Sequence, residues 1–529
     1  MTSLAWREMP DIRALSETIQ AHARPLNLII CNLEAALPQL KLPEAPSSQE
    51  QTLYISLLRQ INTLALSGVH VIEHLLPDVH FWWLNDHAAY NVHEHFSQVQ
   101  WQTPSLSQQA PLISKPWFIP APTTAPTNVL VIGAGIAGAA TARALAERNI
   151  ASTVLETEPQ PALAASGNRQ GLLYAKISPH PTEQSELLLS GYGYTRRLLE
   201  RLLPHQHNAW DACGVLHINH NAAETRRNAA LSLHTYHHHL YHAVSATEAS
   251  DLAGIAINHA GLFWPQGAWL HPPALVHALL EHPLISLHTN TPLLHAYYHG
   301  NSWFAQSNKQ LFSASHIVFC SGSASHNIEL LKGLPFQLVR GQTSLATASN
   351  YSQQLRCALS GTSYIAPAWQ GQHCYGATFM PNDTGNDWRE SDEQLNHEAL
   401  IQLHPTLATS FHKPHTPNQM RGHASIRCDA PDHLPMVGEL GDITAMQDTY
   451  AQLALDKNQT INSPCPYLPN AYLNTAHGSR GLSTAPLCGA SIAAQIAGTP
   501  NPLSKNLRQA LHPNRSIIRS IIRHKPVNI

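Results

Sequence analysis

A glycine-rich turn between an apolar strand and an alanine-rich helix is the first feature of this chain whose residue types and spacing suggest chemistry. Asn128–Ala140 reads Asn-Val-Leu-Val-Ile-Gly-Ala-Gly-Ile-Ala-Gly-Ala-Ala, which places Gly133, Gly135 and Gly138 in a G-x-G-x-x-G pattern. Such glycines permit a tight turn, close approach of the backbone to a pyrophosphate, and close packing of helix on strand. The free N–H groups at the start of the helix favour negative charge. The pattern predicts a dinucleotide site.

An acidic residue follows where a dinucleotide site needs one. The next apolar strand, Ser152-Thr-Val-Leu, runs into Glu156. A carboxylate roughly twenty residues beyond the glycines can accept hydrogen bonds from a ribose hydroxyl. Glycine-rich turns are common, so the glycines alone are a weak signal. The strand, the helix and the acid in this order favour a nucleotide site over a turn that binds nothing.

Three later segments carry further chemistry. The loop Ala165–Gly171 is polar and glycine-rich, and it could reach across a bound cofactor. Arg427 lies on a strand before a proline-bounded turn, so it could clamp a carboxylate in a bidentate pair, although spacing equally allows a surface salt bridge. At His477–Leu482 a strand runs through glycines into a helix whose N–H groups could face a developing anion, or the segment is an ordinary tight turn.

Composition restricts the class of protein. The chain has 529 residues, of which 43% are hydrophobic and 12% charged, with a net charge of −3. These values predict a globular protein of two or three domains with a weakly charged surface. The sequence contains no apolar run of about 18 residues, and its N-terminus lacks the pattern of a signal peptide. We therefore expect a cytoplasmic protein that does not enter the membrane.

The many histidines and cysteines do not form a recognisable metal site. The chain contains 36 histidines, densest at His234–His242, but no HExxH or comparable ligand spacing. The eight cysteines are scattered and form no C-x-x-C pair, which favours buried free thiols over disulfides or a zinc cluster. No metal is expected.

The elements that must position these residues begin after a proline-rich segment, 116–127, which we interpret as a linker. Residues 1–115 contain a single glycine, Gly68, and hence no glycine-rich nucleotide loop. After the linker, strands recur as late as residues 471–476, which predicts a nucleotide domain assembled from separate stretches. The predicted fold is α/β (α+β), with a Rossmann-like dinucleotide-binding domain in segments and an inserted antiparallel-sheet substrate domain. The expected boundaries are 128–210, 311–335 and 425–500 for the first domain, and 211–310 and 336–424 for the second.

In their order, these motifs resemble the FAD-dependent amine oxidoreductases of the glycine and D-amino-acid oxidase family. They are most similar to the oxidoreductase part of the bifunctional enzymes that modify the wobble uridine of tRNA. The resemblance covers about residues 116–525. It rests on Pro116-Trp-Phe118, Gly167-Asn-Arg-Gln-Gly171, Trp264-Pro-Gln-Gly-Ala-Trp269, Arg427 with Asp432-His-Leu-Pro-Met-Val-Gly438, Gly478-Ser-Arg-Gly-Leu482 with Ala485-Pro-Leu-Cys488, and His512-Pro-Asn-Arg515.

The resemblance implies FAD as cofactor and tRNA as partner. It implies oxidation of the carboxymethylaminomethyl group on C5 of uridine 34, with or without 2-thiolation, releasing glyoxylate and leaving aminomethyluridine. Arg427 matches the arginine that holds the substrate carboxylate in glycine-oxidase relatives. The residues expected at the cofactor are Gly133, Ala134, Gly135, Ile136, Gly138, Glu156, Ser166, Gly167, Asn168, Arg169, Gln170, Gly171, Gly322, Gly478, Ser479, Arg480, Gly481 and Leu482.

The chain departs from this family before the linker. The bifunctional relatives carry an S-adenosylmethionine-dependent methyltransferase there, and residues 1–115 are too short for that fold and lack its cofactor loop. We therefore expect oxidoreductase activity without methylation, with a separate methyltransferase acting on the product.

A basic C-terminus could bind the RNA. No acidic residue follows Lys457, whereas seven basic residues do. Arg515, Arg519 and Arg523 recur every four residues, so they predict a basic helix face, with Lys525 beyond it. A solvated terminal helix docked by its isoleucines is the alternative interpretation.

Two other functions are compatible with the same residues. One is oxidation of free glycine or D-amino acids by the same flavin and Arg427, without RNA. The other is a non-catalytic FAD-containing protein that binds tRNA.

Overall fold

A computed structural model describes residues 1–32, 37, 40–65, 68–106, 114–122, 124–204, 207–234, 237–411 and 421–523. The part before the linker folds into strands and helices of its own. Its elements, in chain order, are β1 (Thr2–Trp6), α1 (Ile12–Ala21), β2 (Leu26–Asn32), α2 (Ser48–Ile61), β3 (Val69–Leu76), β4 (Val79–Asn85), α3 (Asp86–Tyr90) and β5 (Gln100–Trp101).

These strands form one N-terminal sheet in the order β3-β4-β2-β1-β5. β1, β2, β4 and β5 run parallel, and β3 pairs antiparallel with β4. The apolar run of β2 is buried along its whole length, because α1 and α2 cover one face of the sheet and the main body covers the other. Local signals begin both helices: Asp11 caps α1, and Ser47 and Glu50 form a capping box on α2. The N-terminal region is therefore an α/β unit.

The rest of the chain alternates strands and helices. The strands are β6 (Val129–Ile132), β7 (Ser152–Leu155), β8 (Gly171–Leu173), β9 (Trp210–Asp211), β10 (Val215–Ile218), β11 (His242–Val244), β12 (Gly261–Trp264), β13 (Ala268–Leu270), β14 (Ile285–His288), β15 (Leu293–His299), β16 (Ser302–Ser307), β17 (Leu311–Ala314), β18 (His316–Phe319), β19 (Gln337–Thr347), β20 (Ala358–Ser360), β21 (Tyr364–Ile365), β22 (Gln372–Gly376), β23 (Met380–Pro381), β24 (Ala424–Asp429), β25 (Met436–Gly441) and β26 (Tyr467–Thr475). The helices are α4 (Ile136–Ala146), α5 (Glu183–Leu202), α6 (Ala222–Ser232), α7 (Ala246–Ala253), α8 (Pro272–Leu280), α9 (Glu390–Leu403), α10 (Pro405–Ser410), α11 (Ile443–Thr449), α12 (Gly481–Ala497), α13 (Lys505–Leu511) and α14 (Asn514–Ile522).

A parallel sheet, in the order β14-β7-β6-β18-β26-β25, draws its strands from distant stretches of the chain, and only β25 runs antiparallel. The glycine turn follows β6 at the carboxyl ends of its parallel strands, where open α/β sheets bind ligands. Helices α4 and α12 pack against each other on one face. The opposite face packs on the β15–β17 meander, with Trp303 buried beside Leu130 and Ile132.

The position of β14 differs from the predicted boundary. Residues 211–310 were expected to lie in the substrate domain, but Ile285–His288 pairs in register with Ser152–Leu155 at the edge of the parallel sheet. The chain reaches that edge through α8, which packs against α4. A short strand of mixed polarity has no sequence signal for which sheet it joins, because its partner is more than a hundred residues away.

The second large sheet has the order β11-β12-β10-β20-β21-β22-β19-β23, with β24 also paired to β19. Its pairings are antiparallel except that of β10 with β20. The long strand β19 pairs with β24 along its first half and with β22 along its second. It therefore carries Gly341 and Thr343 into the space between the two large sheets. The mixed α/β fold predicted from the sequence is confirmed.

The proline-rich segment is docked on the main body. Trp117 packs edge-on against Tyr450 with ring centroids 5.4 Å apart, and its carbonyl oxygen accepts a hydrogen bond from Tyr467 at 3.0 Å. Farther along, the Ala121 amide donates to a carboxylate oxygen of Glu439 at 3.3 Å. These contacts hold the segment in one place, so it is not a free spacer.

Helix α5 joins the N-terminal sheet to the main body. Gly193 faces the carbonyl oxygen of Thr63, and a β-carbon at position 193 would overlap that oxygen. Beside this contact, Glu73 of β3 accepts hydrogen bonds from Tyr194 at 2.6 Å and from Arg148 at 3.0 Å. The glycine thus allows the two backbones to approach, and a buried charge network surrounds the contact.

Candidate active site

The predicted glycine turn has the geometry that its residues suggested. Gly133 adopts a φ of +101°, which disfavours any residue with a side chain, and a β-carbon there would lie 2.8 Å from the carbonyl oxygen of Cys320. A β-carbon at Gly138 would overlap the carbonyl oxygen of Gly133. Helix α4 therefore begins immediately after the turn and packs directly on it. Its Ile136 amide donates to the Ser166 hydroxyl at 3.0 Å.

Glu156 lies at the carboxyl end of β7, beside the same turn. One carboxylate oxygen accepts a hydrogen bond from the Ala134 amide at 2.6 Å, and the other accepts one from the Glu158 amide at 2.9 Å. Gly322, after β18, lines the cleft at a φ of +53°, with no atom within 4 Å of a β-carbon built on it. Backbone amides on both sides thus hold the Glu156 carboxylate in place beside the glycine turn.

The loop before β8 ties the glycine turn to the antiparallel sheet. Asn168 donates to the hydroxyl of Tyr364 at 2.9 Å and accepts a hydrogen bond from the Thr343 hydroxyl at 3.1 Å. The buried Gln170 donates to the carbonyl of Pro367 at 3.1 Å and accepts from the amide of Cys374 at 3.2 Å. This loop therefore fixes the position of the antiparallel sheet over the turn.

Two other predicted residues of this loop have structural contacts. The guanidinium of Arg169 stacks 4.6 Å from the ring centre of Trp369 and donates to its carbonyl at 3.1 Å. A β-carbon at Gly167 would lie 2.7 Å from the ring of His423. Neither residue lines the cleft.

Arg427 places a guanidinium in the cleft. It donates to the carbonyl oxygen of Thr378 at 3.3 Å, and it lies over Gly341, where any β-carbon would overlap it. Burial lowers the pKa of Arg427, but a guanidinium whose ordinary pKa is above about 12 keeps its charge at neutral pH. Among the described residues, no carboxylate forms an ion pair with it. The surface salt bridge that spacing allowed does not form there.

Tyr364 lies close to the guanidinium of Arg427. Its hydroxyl donates to the carbonyl oxygen of Gln170 at 3.0 Å, and burial raises its pKa well above the ordinary value, so it is a neutral phenol. Tyr364 and Gly341 were not predicted as site residues. An isolated tyrosine has no sequence signature, whereas a glycine inside a strand of β-branched and polar residues is a signal of close approach that could have been used.

The second predicted glycine segment leads into α12 at the other side of the cleft. Gly478, at a φ of +55°, lies against Asp429, and Gly481 begins the helix. His477 hydrogen-bonds Thr484 at 2.9 Å and Asn474 at 3.0 Å, and burial lowers its pKa to about 3. An uncharged histidine and a helix N-terminus thus face the cleft, which suits an anionic or electron-rich ligand edge.

Together these segments enclose a cleft of about 1290 Å³. This exceeds the roughly 300–1,000 Å³ of ordinary small-ligand pockets, so it has room for a dinucleotide with a second molecule beside it. The predicted residues that line it are Gly133, Gly135, Ile136, Glu156, Ser166, Asn168, Gly171, Gly322, Arg427, Gly478, Ser479, Gly481 and Leu482. Those that do not line it are Ala134, Gly138, Gly167, Arg169, Gln170 and Arg480. Arg480 instead donates to the carbonyl oxygen of Lys176 at 3.3 Å.

The structure corrects the prediction of a basic helix face at the C-terminus. Arg515 is buried and donates to both carboxylate oxygens of Asp432 at 3.0 Å, and to the carbonyl of Leu434 at 2.6 Å. Arg519 also pairs with Asp432. An acid from a distant part of the chain thus forms ion pairs with both arginines. Because Arg515 is buried in this pair, it cannot contact phosphates as predicted. Arg523 is exposed, and Lys525 lies outside the described residues.

Within the part of the chain that the structure describes, no three histidine, cysteine, aspartate or glutamate side chains come together as a metal site would require. The cysteines are free thiols. Among the helices of the described residues, none combines the length and the apolar character that a membrane-spanning segment requires.

Comparison with known proteins agrees with this architecture. Two curated bacterial proteins similar to this chain are each named tRNA 5-methylaminomethyl-2-thiouridine biosynthesis bifunctional protein MnmC. The protein of Pseudomonas putida is 39% identical over 431 residues, covering 80% of this chain and 65% of that protein. The protein of Pseudomonas savastanoi is 40% identical over 416 residues, covering 78% of this chain and 63% of that protein. The chain thus spans less than two thirds of the length of these relatives.

Solved structures show the same fold at low sequence identity. Glycine oxidase from Bacillus cereus superposes with a TM-score of 0.55 at 18% identity, covering 70% of this chain and 95% of that one. Iminodiacetate oxidase from Chelativorans superposes with a TM-score of 0.58 at 17% identity, covering 73% and 99%. Residues 128–495 match the family described as FAD dependent oxidoreductase. Because that match spans more than half of the chain, and the glycine turn, Glu156 and both sheets fall within it, this protein belongs to the FAD dependent oxidoreductase family.

Proposed function

We propose that this protein oxidises the carboxymethylaminomethyl group on the wobble uridine of tRNA, with or without 2-thiolation. The carboxymethyl group would leave as glyoxylate, and aminomethyluridine would remain. The observation that carries the proposal is the guanidinium of Arg427, which lies in the cleft without an ion pair to any described carboxylate. The names of the relatives at 39–40% identity, which refer to tRNA, support the nucleic-acid part of the proposal.

The residues of the cleft fit FAD. The turn leaves no room for a β-carbon at Gly133, where a pyrophosphate would approach α4, and Glu156 lies at the strand end where a ribose would lie. We assign the ADP half of FAD to this part of the cleft. We assign the flavin half to the part bounded by Asn168 and by the segment Gly478–Leu482.

Substrate binding follows from the charges. The modified side chain is an N-substituted glycine, whose carboxylate can form a bidentate pair with Arg427. Burial strengthens that pair, and Gly341 leaves space for the guanidinium to lie flat. Such a clamp fixes the methylene next to the amine against the cofactor, and this positioning contributes much of the rate enhancement.

When bound, FAD would supply the acceptor for the hydride of that methylene, and water would then hydrolyse the resulting carbon–nitrogen double bond, which releases glyoxylate and leaves the amine on the uridine. The protein contributes a neutral surrounding for this step. His477 is held uncharged, and the N-terminus of α12 presents backbone amides to the cleft. The amides of the helix N-terminus favour negative charge on the ligand that lies there, and the uncharged His477 adds no charge of its own.

We assign only the oxidation to this chain. The relatives, which are longer than this chain, are named as bifunctional proteins. Methylation of the product would then belong to another protein, and a tRNA substrate would place this enzyme in the cytoplasm.

The test is incubation of the purified flavoprotein with tRNA that carries carboxymethylaminomethyluridine, followed by mass spectrometry of the nucleosides and assay of glyoxylate. Conversion to aminomethyluridine with one glyoxylate per base is the expected result. Arg427→Gln, which keeps a hydrogen-bonding side chain without the charge, should retain FAD and lose conversion. Unchanged tRNA alongside oxidation of free glycine would replace the proposal with an amino-acid oxidase. If neither substrate bleaches the flavin anaerobically, the protein is not an oxidase of either kind.

A further inference from the structure

A hydrogen-bonded chain connects the cleft with the protein surface through a buried histidine. Tyr174 and Ser360, which both line the cleft, have their hydroxyl oxygens 2.7 Å apart. Ser360 is 3.4 Å from Nδ1 of His217, and Nε2 of His217 is 2.9 Å from a carboxylate oxygen of Glu224. The side chain of His217 is 1% exposed and that of Glu224 is 15% exposed. This series of hydrogen bonds therefore runs through the wall of the cleft from its inner surface to its outer surface.

The hydrogens along this chain can all point in one direction. Glu224 lies in the first turn of α6 and pairs with Lys176 at 3.0 Å and with Arg227 at 2.6 Å. These neighbours hold the pKa of Glu224 at about 2, with the His217 hydrogen bond as the largest cause. An ionised carboxylate accepts only, so Nε2 of His217 carries the hydrogen and Nδ1 accepts from Ser360. Tyr174 then donates to Ser360.

The inner end of the chain lies at the part of the cleft that we assign to the substrate. Ser360 pairs in register with Tyr364, the phenol beside Arg427. The hydroxyl of Ser483 donates to the carbonyl of Tyr174 at 3.5 Å, just after the turn that begins α12. The inner end of these hydrogen bonds thus lies by the start of α12 and by the strand that carries Tyr364.

A proton must leave this part of the cleft during the reaction. A secondary amine next to a carboxylate is protonated in neutral water, and only its neutral form has the lone pair that assists hydride loss from the adjacent carbon. Arg427 is a permanent cation, Tyr364 is a neutral phenol, and His477 is held uncharged with both ring nitrogens hydrogen-bonded. None of these three groups is suited to accept the proton.

We propose that Tyr174, Ser360, His217 and Glu224 form a relay that carries the proton of the substrate ammonium to the surface. The ammonium N–H would protonate the Tyr174 oxygen as the Tyr174 hydrogen passes to Ser360. The hydrogen of Ser360 passes to Nδ1 of His217, and the Nε2 hydrogen passes to Glu224. One proton enters the relay and one leaves it, with no change in electron count. The proposal rests on the proposed amine oxidation.

The surroundings of His217 suit a transient carrier. Burial lowers its pKa even though the hydrogen bond to Glu224 opposes that shift, so the ring is neutral at rest and a bound proton moves on. The described charged or titratable groups that face it are Tyr174, Lys176, His220, Glu224 and Arg227. His217 touches no substrate, and it acts through the two hydroxyl groups.

The test is anaerobic flavin reduction by a modified anticodon stem-loop, or by glycine if that is the reductant, from pH 6 to pH 10 at saturating substrate. In His217→Gln we expect a loss of tenfold or more at pH 7 that disappears near pH 10, where the free amine predominates. Tyr174→Phe should show the same profile. The matched control is His220→Gln, because the described hydrogen bond of that ring joins it to the carbonyl of Ile218 and the ring lies off the relay.

A pH indicator dye adds a measurement that does not depend on turnover rate. Wild type should release one proton on substrate binding before the flavin bleaches, whereas His217→Gln should release it only with bleaching. Parallel pH profiles for wild type and both relay variants would overturn the relay while the oxidase activity stood. A wild-type flavin that neither reductant bleaches would overturn the proposed function and the relay together.

Discussion

Arg427 lies flat over Gly341, and the two residues come from paired antiparallel strands. Their contact leaves no space for a β-carbon at position 341. The absence of a side chain on one strand is therefore what allows the charged side chain of the other to lie in the cleft. The substrate binding that we propose and the packing of β19 against β24 depend on the same contact.

Gly341→Ala should therefore impair catalysis and leave the fold intact. An added methyl group that forces a packed side chain aside costs about 1–3 kcal/mol, which, where it displaces Arg427, corresponds to a fall of about 5- to 150-fold in kcat/KM. The FAD content should not change, because Gly341 lies in the part of the cleft that we assign to the substrate. The same substitution in an Arg427→Lys background should cost much less, since the slender ammonium can move away. Equal costs in both backgrounds would mean that the two residues act independently.

Asp432→Asn should destabilise the protein and should not weaken RNA binding specifically. It leaves the buried Arg515 without its anion, and breaking a buried pair costs roughly 3–5 kcal/mol. Urea unfolding measures this change in free energy. Arg523→Ala is the control, because that side chain is exposed and pairs with no described carboxylate.

The same ion pair predicts an acid transition. Burial alone would raise the pKa of Asp432, but Arg515 and Arg519 outweigh it and hold the pKa at about 2, below the ordinary 3.8. An acid whose pKa is lower in the folded state than in the unfolded state contributes stability above its unfolded pKa. That contribution is lost as the pH falls through the folded pKa. About 2 kcal/mol should therefore be lost between pH 4 and pH 2, and Asp432→Asn should lack that component.

Glu439 should make stability depend on pH in the opposite direction. Burial raises the pKa of its carboxyl to about 7 from the ordinary 4.5, and its described hydrogen bond comes from the Ala121 amide. The native state therefore binds the proton more tightly than the unfolded chain, so stability falls as the pH rises from 4.5 to 7. Glu439→Gln, which can still accept from Ala121, should match wild type at pH 4.5 and exceed it by about 3 kcal/mol at pH 8. A gain that is equal at both pH values would contradict this assignment.

Gly193→Ala should loosen the N-terminal sheet. Alanine stabilises a helix interior by about 1 kcal/mol relative to glycine, yet here its methyl group would overlap the carbonyl of Thr63. We expect faster hydrogen exchange in β3 and β4 with little change in β6 and β7. Glu183→Ala, at an exposed position of the same helix, is the control. Unchanged exchange in the N-terminal sheet would mean that this contact does not hold it.

Short-range pattern determined the part of the site that one stretch of chain builds by itself. The turn at Gly133 and the strand ending at Glu156 were both predicted, because a strand, a glycine turn and a helix within about thirty residues have few ways to fold. The mixed α/β class followed in the same way. The resemblance to the oxidoreductase family rested on such local segments, and the match over residues 128–495 confirms it.

Only the tertiary structure decided which charges remain available. Arg427 precedes a proline-bounded turn, and Arg515 lies in a predicted basic helix. In neither case does the neighbouring sequence show which group the guanidinium will contact. Arg515 forms an ion pair with Asp432, 83 residues away, whereas Arg427 packs over Gly341 and forms no ion pair with a described carboxylate. Sequence spacing cannot distinguish the two, because the free energy of a buried charge depends on which groups the long-range fold brings to it.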